Sequence, residues 1–243
     1  MPNSQSGFQP VGESVVAYKN AWFSVVEQPM DFLSEDGRVK KSAADGGQMN
    51  YVQMGRPGSL IAAVDGNARD GSIYLIQQER YPANVTLNQV RKDWELPGGG
   101  LDEASMEPPT AEDWLRGARA ELLEEAGLIA DEDDFALVGP TEGHFPHPSM
   151  TDRNALVVVR GVKRAVEGTG PEDNEIITGS GFFQWDQAHT MYMGGLAIGD
   201  EVYRISSEPT IAKINMAQRW LGMQEAAAAL QPTVIDLAAS PTA

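Results

Sequence analysis

Runs rich in β-branched and aromatic residues, each bounded by Gly, Pro, Asn or Asp, predict strands at AWFSVVEQ (21–28), NYVQM (50–54), SLIAAV (59–64), SIYLIQQ (72–78), FALVG (135–139), NALVVVRGV (154–162) and GFFQW (181–185). The gaps between them are too short for helices except in two places. Across 112–126, Leu115, Ala118, Leu122 and Ala126 recur at helical spacing and Gly127 follows as a C-cap. Glu208 to Leu230 forms a second helical stretch, with Gly222 as a point of interruption. From Gln231 onward the chain is rich in Ala, Pro, Ser and Thr and reads as a loose tail. No internal repeat or composition break divides 14–225, so the expected organisation is a flexible N-terminus (1–13), one domain (14–225) and an Ala/Pro-rich tail (226–243).

Composition narrows the class of protein. With 243 residues, 42% hydrophobic and 22% charged, the chain can bury a sizeable core. No apolar run approaches the roughly 20 residues of a membrane span, and MPNSQSGFQP has neither a basic start nor an apolar stretch. The expectation is a cytoplasmic protein without a membrane partner. The absence of cysteine excludes disulfides, thiolate metal sites and cysteine nucleophiles. Eighteen Lys and Arg against thirty-five Asp and Glu give a net charge of −17, which opposes binding to nucleic-acid backbones. An anionic substrate would need an added cation, and a divalent metal held by clustered carboxylates is one source.

Such a cluster exists in ELLEEAGL (121–128). On a helix Glu121, Glu124 and Glu125 share an arc of about 100°. Like charges at this spacing repel by only tenths of a kcal/mol per exposed pair, so the helix alone reads first as a solvated acidic face.

The preceding residues change that reading. In WELPGGGLDEASMEPPTAEDWLRGARAELLEEAGL, Glu112 is followed after seven residues by Ala120, Glu121, Leu122, Leu123, Glu124, Glu125, Ala126, Gly127 and Leu128. Here the chain resembles the Nudix hydrolase family, whose box ends in R-E-apolar-x-E-E-x-G-apolar. KNAWFSV (19–25), LIQQERYP (75–82), WELPGGG (94–100) and EPTIAK (208–213) further resemble the branch that cleaves ADP-ribose and nucleoside diphosphate sugars. The resemblance implies an α/β Nudix fold, a mixed β-sheet sandwiched between α-helices, with an N-terminal β extension that in this branch often helps form a homodimer. It implies Mg²⁺-dependent, or Mn²⁺-dependent, hydrolysis of a small nucleoside diphosphate derivative. Glu124 and Glu125 would be metal ligands, Glu121 would complete the metal shell or hold the attacking water, and a carbonyl from Pro97 to Gly99, assigned to Gly98, would add an oxygen ligand.

The chemistry matches these residue types. A pyrophosphate repels an attacking water, and divalent cations neutralise it when several carboxylates face one cavity from a rigid element. Arg80 is a candidate for gripping a phosphate or terminal ribose, Trp22 for stacking on a base, and Glu95 for orienting the loop or a water. Trp94 reads as core or as a base platform. His144 and His147 have ligand-like spacing, but without Cys or a third nearby His they read as loop histidines.

Two departures bear on catalysis. Ala120 replaces the box arginine, which leaves Arg116, one turn earlier, as the candidate brace. In HPSMTDRN, Asp152 is kept but Arg153 occupies the branch's acidic slot, so Arg153 becomes a candidate substrate contact, and Glu142, Asp152, Glu172 and Glu175 remain candidate bases. The alternative function is a catalytically impaired Nudix domain that binds a nucleotide as sensor or scaffold.

Overall fold

The computed structural model describes residues 8–19, 23–34, 37–54, 57–79, 92–101, 109–144, 153–166 and 176–229. The first strands, β1 (Phe8–Pro10), β2 (Val15–Lys19), β3 (Phe23–Leu33), β4 (Val39–Lys41) and β5 (Gln48–Met54), form an antiparallel sheet in which β3 pairs with each of the others. This is the expected N-terminal β extension, although β3 runs to Leu33 rather than stopping at 28.

The larger sheet is built on β6 (Gly58–Asp65) and β7 (Ser72–Glu79), joined at one end by an antiparallel pairing of Val64 with Ile73. β8 (Lys92–Glu95) pairs with β7, and β9 (Gly98–Gly100) pairs with β6. Helix α1 (Ala111–Ala126) follows, then β10 (Leu128–Ile129), β11 (Phe135–Val138), β12 (Asn154–Val159), β13 (Lys163–Arg164) and β14 (Ile177–Gln184). β12 lies parallel to β6 with Asn154 opposite Gly58, while β11 and β14 flank the sheet antiparallel to β12 and β7. The chain ends in α2 (Trp185–Met193), a hairpin of β15 (Leu196–Ile198) and β16 (Glu201–Tyr203), and α3 (Glu208–Ala229).

β6 explains the layering. Ile61 and Ala63 pack toward α1, whereas Ala62 and Val64 pack toward α2 and α3, all nearly or fully buried. A strand covered on both faces needs a continuous apolar run, which is what SLIAAV supplies. Ile61 and Val64 each contribute roughly 1.5–3 kcal/mol on burial, and the alanines less. The result is the expected mixed sheet between helices.

Three local expectations change. GFFQW is not all strand: Trp185 opens α2, where the Gln184 N–H donates to Gln187 Oε1 at 2.9 Å and Trp185 Nε1 donates to the Asn67 carbonyl at 3.0 Å. The WELPGGG segment, not among the expected strands, contributes to two short ones, β8 and β9. α3 passes Gly222 without a break, because Leu221 is buried beside it and a methyl at 222 would make only ordinary contact with Ala68.

Candidate active site

α1 carries the acidic cluster and is fixed at both ends. Thr110 caps it: its hydroxyl oxygen accepts from the Asp113 N–H at 3.3 Å, and its own N–H donates to Asp113 Oδ2 at 2.8 Å. The Thr110 hydroxyl, then its N–H, hold Asp113 below the usual carboxylate range. Gly127 closes the other end in the left-handed region, at φ 61°, with its N–H on the carbonyls of Leu122 and Leu123. The buried stripe is Trp114, Ala118, Leu122 and Ala126, with Leu115 only partly buried beside it. Trp114 anchors it, fully buried, with Nε1 donating to the Thr141 carbonyl at 2.7 Å.

That stripe also contains Glu125, which is only 6% exposed. Its Oε2 accepts from the Gly98 N–H at 2.6 Å. The exposed-carboxylate repulsion expected along this helix therefore does not describe Glu125, which faces a strand. Glu121 and Glu124 are partly exposed. The Glu121 carboxylate lies over the Gly99 backbone, in the space that a side chain at 99 would take. A side chain at Gly98, where φ is 158°, would collide with the Ser59 carbonyl and Leu60. The glycines thus permit the close approach of α1 to β9.

The ladder orients the backbone of β9. Ile61 N–H donates to the Pro97 carbonyl and Leu101 N–H to the Pro57 carbonyl, both at 2.8 Å. In an antiparallel pair the peptide groups of alternate residues face opposite edges, so the N–H and C=O of Gly98 turn away from β6. The N–H meets Glu125, and the carbonyl shares its edge. Pro97's carbonyl is engaged in the sheet, which leaves Gly98 as the better oxygen donor of the two.

The other candidates fall in different places. Glu95 ends β8, partly exposed, opposite Ile76. Arg153 precedes β12: its carbonyl accepts from Gly58 N–H at 3.0 Å, and its Nη1 donates to the Glu142 carbonyl at 3.4 Å. Glu142 is exposed. Arg116 does not brace the glutamates; its Nη2 contacts Asp113 Oδ1 at 2.8 Å in the capped first turn. Arg119 likewise turns to Glu112 at 2.6 Å and lies over the Phe135 ring. Trp94 is core, packed on Phe183 and Tyr203 at centroid distances of 4.8 and 5.0 Å. Trp22, Arg80, His147, Asp152, Glu172 and Glu175 lie outside the described residues.

Sequence reading missed Lys213 of α3, which is 6% exposed and donates to the Asn154 carbonyl at 3.5 Å. Burial lowers its pKa to about 8. Burial, then the charge of Lys213, lower that of His144 against the opposing effects of Glu142 and a hydrogen bond with the Val138 backbone. A lysine at a helix position flanked by Ile211 and Ile214 was the available signal.

Among the described residues no three acidic or histidine side chains are already gathered around one point. The donor set nevertheless fits a hard divalent cation: two carboxylates meet the Gly98–Gly99 backbone, and every donor is oxygen. Glu121, Glu124, Glu125 and the Gly98 carbonyl are the groups that would hold it.

Comparison with known proteins places this carboxylate-bearing helix, docked on a glycine strand inside a mixed sheet, in a family. The NUDIX domain model matches residues 56–200. The chain belongs to the Nudix family. Among solved structures, one described as an ADP compounds hydrolase matches with a TM-score of 0.59 and 13% identity over 90% of this chain and 96% of that one. An Ap4A hydrolase from C. elegans, in a binary complex, gives 0.36 and 12% over 69% and 98%. A MutT/nudix family protein from Enterococcus faecalis gives 0.34 and 14% over 65% and 60%. No curated protein sequence matches the chain. No helix among the described residues is long and apolar enough to cross a membrane.

Proposed function

We propose that this Nudix hydrolase cleaves the pyrophosphate of a nucleoside diphosphate linked to another moiety, ADP-ribose or a nucleotide sugar, releasing a nucleoside monophosphate and a phosphorylated remainder. The observation that carries the reading is the convergence of the Glu121 and Glu125 carboxylates on the Gly98–Gly99 backbone. A bound Mg²⁺ or Mn²⁺ would supply charge neutralisation and an activated water. The chain's own residues do the rest. Glu125, held by the Gly98 N–H, fixes the last turn of α1 against β9, while Glu121 and Glu124 present carboxylates on the same helix face. In this reading Arg153, which precedes β12, meets an anionic part of the substrate. The likeness to an ADP compounds hydrolase supports the adenosine diphosphate class.

The test is a panel of nucleoside diphosphate derivatives with Mg²⁺ and Mn²⁺, scored by released monophosphate. Turnover of at least one compound, lost in Glu125→Gln, is expected. Metal-dependent nucleotide binding without turnover of any compound would instead establish the sensor reading. That reading is favoured by Ala120, since Arg116 and Arg119 are both directed to other carboxylates.

The N-terminal sheet supports a homodimer. Every residue of β2 is exposed, with Val15, Val16 and Tyr18 at 59%, 54% and 53%. Apolar side chains on an exposed strand suit association with a second copy.

A further inference from the structure

Lys213 is the only cation among the buried residues described. Burying an ammonium is costly unless it is paired and hydrogen-bonded. Lys213 has neither remedy in full. It forms no ion pair among the described residues, and its one hydrogen bond, to the Asn154 carbonyl at 3.5 Å, lies at the long limit for such a bond. Three N–H donors therefore share one distant acceptor. That acceptor is already engaged, because Asn154 O also accepts from the His144 N–H at 2.9 Å. Beside it, the buried His144 Nε2 has no partner. A lysine with only a structural role would extend its ammonium to solvent or meet a carboxylate.

The position of this unmatched charge is informative. Asn154 is paired with Gly58, and Gly58 with Gly100, so β12, β6 and β9 stand side by side at one end of the sheet. Two strand spacings, about 10 Å, separate Asn154 from the backbone of β9. On the α3 side of Gly58, the place a Cβ would take is crowded by the Gly99 carbonyl at 2.9 Å and lies 3.5 Å from Asn154 Oδ1, so only a glycine lets β9 and Asn154 come this close. Gly99 thus touches Glu121 through the position a Cβ would take and the Gly58–Asn154 corner through its carbonyl.

We propose that Lys213, flanked by Asn154 and His144, is a phosphoryl-binding subsite that holds an anionic group of the substrate across the sheet end from Glu121 and Glu125. This rests on the pyrophosphatase reading. An oxyanion there would give the ammonium the acceptors it lacks and would answer the positive charge that now bears on His144. It would also give a chain of net charge −17 a fixed attraction for a phosphate next to its carboxylates.

The experiment compares wild type with Lys213→Met and Lys213→Gln in two assays. In metal-free buffer with chelator, inorganic phosphate and AMP are titrated while thermal stability is followed. The wild type is expected to gain stability with either anion. Lys213→Met is expected to start more stable, because a buried charge is gone, and to show no gain. In the hydrolysis assay either variant should raise KM about ten- to hundredfold, the scale of one charge-assisted hydrogen bond, with a smaller change in kcat. Lys213→Gln provides a polar replacement should the methionine variant fail to fold. Equal anion-induced stabilisation in wild type and variants would overturn the subsite. Lys213-dependent stabilisation in a protein that hydrolyses nothing would keep the subsite and reject the enzyme reading. Active enzyme with an unchanged KM in the variants would do the reverse.

Discussion

The carboxylate of Glu125 accepts a hydrogen bond from the Gly98 backbone at 2.6 Å, joining the last turn of α1 to β9 across 27 residues of sequence. A buried carboxylate requires donors, and this one comes from the strand whose outward carbonyl stands beside it. One residue thus serves both the packing of the helix and the candidate metal shell.

Separating these roles is the first expectation. Glu125→Gln keeps an oxygen for the Gly98 N–H, so thermal stability should stay close to wild type. Glu125→Ala leaves that N–H unpaired and should cost about 1–3 kcal/mol. Both should lower kcat by about a hundredfold, the scale reported for losing one preorganised stabiliser of transition-state charge. Denaturant melts beside steady-state assays check this, and an active Glu125→Gln would remove Glu125 from the metal shell.

Gly98 and Gly99 should respond differently to the same added methyl. At Gly98 the methyl meets the Ser59 backbone, which is locked in the sheet, and destabilisation of about 1–3 kcal/mol is expected. At Gly99 it meets the flexible end of Glu121, so the carboxylate moves instead. Gly99→Ala should therefore remain folded but bind Mn²⁺ more weakly. Calorimetric Mn²⁺ titration with matched thermal melts distinguishes the two; equal loss of stability in both variants would refute the contrast.

Lys213 gives a pH signature. Its folded-state pKa, about 8, lies below the ordinary value of 10.5, so between these values the unfolded chain binds more protons than the folded one. Stability should rise with pH through that window and the penalty should be fully present below it. Lys213→Met should flatten the rise, while the nearby His144, whose pKa burial and the charge of Lys213 push down, should leave it in place. Melting temperatures measured at intervals from pH 7 to 10 provide the check.

The proposed dimer can be tested on β2. Val16→Glu places a charge on the exposed strand and should shift the protein from dimer to monomer in light scattering, with little change in the fold. A wild-type monomer at micromolar concentration would reject this interface.

Much of the architecture was legible because burial leaves a pattern. SLIAAV announces a strand covered on both faces, and Leu122 with Ala126 announces the inner face of α1. β9 was not legible as a strand: three glycines have little intrinsic preference for one, and their extended form is imposed by β6 and Glu125. α2 was hidden because an aromatic run reads alike in a strand and at a helix start, and Trp185 is where one becomes the other. Within the site, the glutamates stood out by spacing, but the burial of Glu125 depends on which helix face meets the sheet. The isolation of Lys213 from carboxylates is a property of tertiary neighbours, which a single sequence does not display.

The stretch LDEASMEPPTA separates the glycines from the helix that carries the glutamates, and both of its ends are clamped. Leu101 is buried with its N–H on Pro57, and Thr110 is locked into the helix cap. The glutamates are positioned by where α1 begins and by what its last turn touches, so they are indifferent to how many residues the chain takes to arrive. What holds the glutamates in place is therefore the cap at Thr110 and the contact of Glu125 with Gly98, two fixed points at opposite ends of one helix.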